Sequence, residues 1–355
     1  MDVALTSEQL ALRDTVRDIL RTECPTSVAR QAISDPERWR ALWKTVVHLG
    51  WTELAAPDSS GEFGPVELAV VLEECGAAIA PIPLLSSLGM AAGVLRTGGG
   101  AFDDVLAEIA SGAVATLAVH APGYRLPGAP MTLHHNRLTG RAVAVPNLQR
   151  AELIVTLADS DDGPVAAVVR CGDGVTIQAG ESTDPTQPLA DVEIDATPAA
   201  TAAVADVESA LAAPLVAAAA DLLGVASAAL HRSGEHAKSR RQFGKPIGSF
   251  QGIKHALADN YVSVERARSL TYAAAGRLGS GGTGAWTAAA LAKAAAGDAA
   301  VGCARTAVQV HGALGQTWEH DIHLFVRHAW QGAAMLGDSR ALYHAVGRRF
   351  AGGAA

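Results

Sequence analysis

The residues best equipped for chemistry form one compact run, Arg240-Arg241-Gln242-Phe243-Gly244-Lys245-Pro246-Ile247, followed by Phe250-Gln251 and Leu257-Ala258-Asp259. The pattern reads as a helix end, a tight basic turn and the start of another helix. Guanidinium groups and the unsatisfied N–H groups of a helix N-terminus both offer donors to a diphosphate. On composition alone, a surface loop that carries arginines is an equal reading. Glu319-His320-Asp321 with His323 holds metal-ligating residue types. Two histidines at i, i+3 without a third convergent ligand read as structural, so no metal is expected. Gly279 to Gly284 matches GxGxxG, but no strand precedes it and it joins two helices. It is not read as a Rossmann turn.

These groups need helices to carry them, and the chain is composed for helices. Of 355 residues 49% are hydrophobic and 18% charged, a globular balance. Alanine, the best helix former, dominates the apolar share. Only five of the 28 basic residues are lysine. The net charge of −8 and the lack of a long basic run argue against nucleic-acid binding. The local cluster Lys238, Arg240, Arg241 and Lys245 suits a small anionic ligand instead. Cys24, Cys75, Cys171 and Cys303 are scattered, which fits a reducing cytoplasm and gives no zinc site. The start, MDVALTSEQLALRD, lacks the pattern of a signal peptide. The Ala-rich stretch from Leu211 to Leu230 is interrupted by Pro214, Asp221 and Gly224, and reads as a buried helix with no membrane partner.

The chain divides into three regions. Residues 1–112 read as helices. Thr6 and Gln9 form a capping-box pattern before Leu12, Val16, Ile19 and Leu20. A second helix is expected over Pro36 to Leu49, and a third from Pro65 to Gly76, started by proline and stopped by glycine. Residues 113–204 carry short Val-, Ile- and Thr-rich runs (AVATLAV, RAVAV, ELIVTLA, PVAAVV, VTIQA), which predict a small antiparallel β domain. An Ala/Thr linker follows near Thr197 to Thr201. Over 205–355 helices return: 215–238, one from near Phe250 with Ile253, Leu257, Tyr261 and Val264 on one stripe, Ala285 to His311, and Asp321 to Phe350. Gly276 to Gly284 is expected to be a flexible turn. The alanines of 215–230 predict close helix packing and a subunit interface. The fold class is α+β, mostly α.

The motif Arg-x-Gln-Phe-Gly-Lys-Pro-Ile, with its downstream Phe-Gln and Leu-Ala-Asp, resembles the C-terminal signature of the acyl-CoA dehydrogenases. Leu49-Gly50-Trp51 before Pro57, Glu73-Glu74-Cys75-Gly76, and Gln309-Val310-His311-Gly312-Ala313-Leu314-Gly315 with Arg327 are similar as well. The resemblance implies an N-terminal helical domain, a middle β domain and a C-terminal four-helix bundle. It implies FAD held between subunits, with Arg240, Gln242, Phe243, Gln251, Gln309 and Gly312 gripping its ADP half. The second glycine of that last motif is Ala313 here. The implied reaction is α,β-dehydrogenation of an acyl-CoA, in which a carboxylate removes the α-proton and the β-hydrogen leaves as hydride. Such a weak acid demands a desolvated, well-aimed base.

The sequence departs from the family there. The two positions where the family carries its glutamate are Leu336 and Pro214, and neither accepts a proton. The stretches Val119-His120-Ala121-Pro122-Gly123 and Ala144-Val145-Pro146-Asn147 replace the family's flavin-contacting residues. Groups that reach a neighbour's FAD are mostly kept and those for its own are lost. This asymmetry resembles the α2β2 acyl-CoA dehydrogenases of steroid side-chain degradation, as do Gln316 to Leu324 and Leu336-Gly337-Asp338. It implies a subunit that completes the FAD site while a homologous partner supplies the glutamate and electrons pass to an electron-transfer flavoprotein. Two alternatives are a self-sufficient enzyme using Asp338 as base, and a non-catalytic scaffold. Asp221 and Glu319 are expected to be capping or ion-pair residues.

Overall fold

In the computed structural model, residues 5–56, 63–279 and 284–351 are described. Pro57, the first four residues and the 280–283 part of the expected glycine-rich turn lie outside them. The N-terminal region comprises α1 (Ser7–Glu23), α2 (Thr26–Ser34), α3 (Trp39–His48), α4 (Pro65–Ala78), a π-helical turn (Leu85–Ala91), α5 (Ala92–Leu95) and α6 (Asp103–Ala110). The capping box is formed: Gln9 N–H donates to Thr6 Oγ1 (3.2 Å) and Thr6 N–H to Gln9 Oε1 (2.9 Å). Helix α2, which follows Pro25, was not expected from periodicity. The expected Pro36–Leu49 helix is the shorter α3.

Gly76 does not stop α4, which ends at Ile79 in the left-handed region (φ 49°). The glycine serves helix packing instead. A Cβ at Gly76 would stand 2.0 Å from Asp221 O, and one at Gly224 would stand 1.8 Å from Glu73 O. Two backbones touch here, so neither position has room for a methyl group.

The middle region is a single eight-stranded sheet: β1 (Ala115–Ala118), β2 (Met131–His134), β3 (Arg137–Pro146), β4 (Leu153–Ser160), β5 (Gly163–Arg170), β6 (Val175–Ala179), β7 (Leu189–Ala196) and β8 (Ala200–Ala203). Its order is β6-β7-β3-β2-β4-β5-β8, with β1 also on β4. It is mixed, not antiparallel as expected, because β1 and β2 both pair in parallel with β4. The Ala/Thr segment expected to be a linker enters β8, which pairs with β5. Alternation on β4 sends Leu153, Val155 and Leu157 into the main helical core, while Ile154 and Ala158 face a smaller second core.

The C-terminal region has α7 (Val207–Ala210), α8 (Ala212–Ser239), a two-stranded ribbon of β9 (Arg241–Gln242) and β10 (Lys245–Pro246), α9 (Gln251–Gly279), α10 (Ala285–His311), α11 (Ile322–Ala334) and α12 (Ser339–Ala351). Helix α10 packs on α8, α9, α11 and α12. Its buried faces are almost wholly alanine, which lets the helices approach closely. The span Val207–Ser239 is long and apolar enough to cross a membrane, but 89% of its most apolar window is buried inside the fold. Gly276 lies within α9, so the expected turn begins later. The expected Asp321–Phe350 helix is broken at Met335–Asp338, where Leu336 (φ 56°) and Gly337 (φ 97°) are left-handed.

Candidate cofactor site and the base position

The basic turn is built by local chemistry. Helix α8 ends as Arg240 N–H donates to His236 O (2.8 Å). The chain then reverses through Phe243 (φ 50°) and Gly244 (φ 77°), a two-residue left-handed turn suited to a tight ribbon. Arg241 Nη2 donates to Gly244 O (2.9 Å), and Lys245 Nζ stands 4.4 Å over the Phe250 ring. Phe243 is 90% exposed and meets Phe250 edge-on. Gln251 opens α9. At the far end of α10, His311 stacks on His236 with ring centroids 4.2 Å apart, which joins the ends of α8 and α10.

Arg240, Gln242, Phe243, Gln251, Gln309 and Gly312 are all exposed at these helix ends. Among the described residues, the side chains of Arg240, Gln242, Gln251 and Gln309 have no hydrogen-bond partner. Gly312 (φ 63°) has open space around its missing Cβ, so the backbone is accessible to a ligand, and Ala313 is exposed beside it. Unpaired donors facing outward around an open backbone fit a diphosphate-bearing group approached from outside the subunit.

The base position is closed. Leu336 is buried, and its N–H donates to His120 Nε2 (3.1 Å). Beneath it the fully buried Lys293 donates to Ala333 O (2.7 Å) and Gly337 O (2.9 Å). Burial pulls the Lys293 ammonium down to about 7, against the attraction of Asp338 and Asp298. Burial and the Lys293 charge push His120 down to about 4, so its ring is neutral and able to accept. Asp338 is committed at both oxygens: Oδ2 pairs with Arg125 (2.7 Å) and Oδ1 accepts from Ala341 N–H (2.9 Å), capping α12. Pro214 lies buried in the first turn of α8. Neither expected base position carries a carboxylate.

The two stretches that the resemblance aligns with flavin-contacting residues make their hydrogen bonds within the protein. Val143 and Ala144 form an irregularity in β3, where Val143 N–H donates to His120 O (2.9 Å) and Ala144 is left-handed (φ 53°). Asn147 Nδ2 donates to Gln187 Oε1 (2.7 Å), and Arg150 Nη1 donates to Asn147 Oδ1 (2.9 Å). The gap between Pro146, Asn147, Gln331 and Met335 measures ≈ 10 Å³, room for one water molecule at most. Beside it, His328 is buried between Asp221 (Nε2 to Oδ2, 2.8 Å) and Asp184 (Nδ1 to Oδ2, 2.7 Å, off the line of a hydrogen bond).

A cavity of ≈ 690 Å³ among α1, α4, α8 and α9 is lined by Glu73 and Glu74. Both are engaged: Arg17 binds Glu74 at 2.7 and 3.0 Å, while Arg268 and Tyr272 bind Glu73. They are structural ion pairs, not free bases. Asp221 is an ion-pair residue as expected, whereas Glu319 is exposed with no hydrogen-bond or ion-pair partner among the described residues. His320 accepts from Ile322 N–H (3.3 Å), and His323 packs on Trp318; among the described residues no three ligands converge on a metal position. Sequence reading missed His120, Arg125, Asp184, Lys293 and His328. Only Lys293, a lone cation amid alanines, left a visible trace.

Comparison with known proteins follows the same lines. The acyl-CoA dehydrogenase N-terminal domain matches residues 6–112 and the acyl-CoA dehydrogenase C-terminal domain matches 206–350. The chain is 31% identical to acyl-CoA dehydrogenase IpdE2 of Mycolicibacterium smegmatis over 343 residues, covering 95% of this chain and 96% of that one. The ChsE4-ChsE5 complex from Mycobacterium tuberculosis contains a chain of the same fold (TM-score 0.88, 28% identity, 99% of each chain covered). The steroid ACAD Tcur3481-Tcur3483, in its G363A variant, is also similar (TM-score 0.90, 28% identity, 98% of each chain covered). The chain therefore belongs to the acyl-CoA dehydrogenases, a family of FAD-dependent oxidoreductases.

Proposed function

We propose that this chain is the base-lacking subunit of a heteromeric, FAD-dependent acyl-CoA dehydrogenase, organised as units 1–112, 113–204 and 205–355. One observation carries the reading: the turn at Leu336 is held by His120 and Lys293, while the side chains of Arg240, Gln242, Gln251 and Gln309 are exposed and unpaired among the described residues. A subunit so built lacks a free base in its own site and offers donors to a cofactor seated in another chain.

Arg240, Gln242, Phe243, Gln251, Gln309 and Gly312 hold the ADP half, with Arg240 meeting the diphosphate. FAD, when bound, supplies the hydride acceptor. The homologous partner contributes the glutamate that takes the α-proton of the acyl-CoA, and an electron-transfer flavoprotein receives the electrons. A steroid side-chain thioester is the substrate class that the similarity to a steroid ACAD supports. A 2:2 assembly follows from the same resemblance. The pairing of both Asp338 oxygens disfavours a relocated base.

The test is co-production with a homologous chain that retains the glutamate, followed by measurement of bound FAD and its bleaching by acyl-CoA. FAD retained only in the complex, and lost on Arg240→Ala, supports the proposal. Bleaching by the lone chain would return the base to Asp338, and FAD content indifferent to Arg240 would leave a scaffold.

A further inference from the structure

Three imidazoles meet where α8 and α10 end. His236 is on the last turn of α8, and its carbonyl accepts from Arg240 N–H. Its ring lies 4.2 Å from that of His311 at an interplanar angle of 28°, and the His320 ring is 4.8 Å from His311. Hydrogen-bond chemistry fixes two tautomers. His311 Nδ1 is 2.8 Å from Ala307 O, which can only accept, so Nδ1 carries the hydrogen and Nε2 is the basic nitrogen. His320 Nδ1 accepts from Ile322 N–H, so its hydrogen is on Nε2.

The charges around the stack are mainly positive. Arg232, held over the Phe325 ring at 4.9 Å, and Arg240 face it from α8. Asp321, the nearby carboxylate, is already taken by Arg30 (2.6 Å) and Thr26 (2.6 Å). Burial, then His320 and Arg240, hold His236 below the ordinary imidazole range. Burial, then His236, His320 and Arg232, do the same for His311 in spite of its bond to Ala307 O. The stack is therefore neutral near pH 7 and adjoins the residues assigned to the diphosphate. A dianion placed beside Arg240 reverses the local field, and an added proton then becomes favourable.

We propose that His236 and His311 belong to the dinucleotide site, and that a diphosphate binds there together with one proton taken from solvent. The inference rests on the ADP-half reading given above.

The probe is ADP-ribose, a diphosphate diester with no titrating phosphate near neutral pH, added to the FAD-depleted complex with the homologous partner, in which only this chain is labelled with 13C-histidine. The ring Cε1–H resonances are followed against pH with and without it. The expected result is a rise of about one unit in the midpoint of His236 or His311, so that binding is about tenfold tighter at low pH than at high pH. The His236→Gln/His311→Gln variant should still bind at high pH but lose this dependence. Unchanged midpoints with binding that still requires Arg240 would overturn the proton uptake and leave the ADP-half reading standing. Binding that is absent, or equal in Arg240→Ala, would remove both.

Discussion

Leu336 N–H donates to His120 Nε2 across 3.1 Å, joining a turn of the C-terminal bundle to the strand end of the middle region. Arg125 and Asp338 tie the same two segments at 2.7 Å. The first link holds the residue at position 336, where the family resemblance puts the base, and the second holds Asp338 two residues on. The two links tie down Leu336 and Asp338, so the turn at 336–338 presents no free carboxylate.

Restoring the acid alone should fail. In Leu336→Glu the carboxylate would enter a buried position above Lys293, on a left-handed residue whose N–H is already engaged. Stability should fall by about 2–4 kcal/mol in urea unfolding. No acyl-CoA oxidation should accompany it in the lone chain. Measurable turnover would show that the site is open after all.

Cofactor retention should depend on residues that do nothing for the fold. Arg240→Ala removes an exposed, unpaired guanidinium, so its unfolding free energy should stay within about 0.5 kcal/mol of the parent. Loss of a charge-assisted contact to a diphosphate is worth about 1.5–3 kcal/mol, or roughly 10- to 100-fold in FAD affinity of the assembled enzyme. Equilibrium dialysis of the complex reads this directly. An unchanged affinity would remove Arg240 from the site.

The buried Asp184–His328–Asp221 group predicts a pH profile. Burial alone would lower His328, but the Asp221 and Asp184 carboxylates outweigh it and raise the imidazole well above its ordinary value. Its contribution is fully present below the unfolded value of about 6.5 and is lost as pH rises through the folded value. Asp184 is opposed by burial yet lowered by His328 and Thr186. Its share is present above about 3.9 and is lost as pH falls through the folded value. Lys293 acts opposite to His328: its burial penalty is full below about 7 and is relieved as pH rises from about 7 toward the unfolded value of about 10.4. Comparing His328→Gln with the parent isolates the triad. The variant should lose about 3–5 kcal/mol near pH 6, with a smaller deficit at alkaline pH. A deficit that grows with pH would contradict the assignment.

The α4–α8 crossing should tolerate no methyl group. Gly76→Ala and Gly224→Ala each drive a Cβ into a backbone carbonyl at 2.0 and 1.8 Å. Each should cost about 3 kcal/mol or more in equilibrium unfolding, whereas Gly234→Ala, in open space on α8, should be neutral or stabilising. Equal effects at all three would mean the helices are farther apart than described.

The sequence by itself determined the helical end regions, the β-rich middle, the basic turn at 240–247 and the absence of a carboxylate at positions 336 and 214. Those features are local: a period of 3.6, an alternation of 2, a Phe-Gly reversal, one residue type at one place. It misread Gly76 as a stop and 197–201 as a linker, because glycine packing and strand pairing are settled by distant backbone. The tertiary structure alone decided that the turn at 336–338 is buried and tied to the middle region. His120 and Leu336 stand 216 positions apart, Arg125 and Asp338 213, and Asp221 and His328 107. Whether an ammonium, an imidazole or a carboxylate is paired, neutral or free depends on which groups displace water from it. That is set by three-dimensional neighbours, which no local pattern of residues encodes.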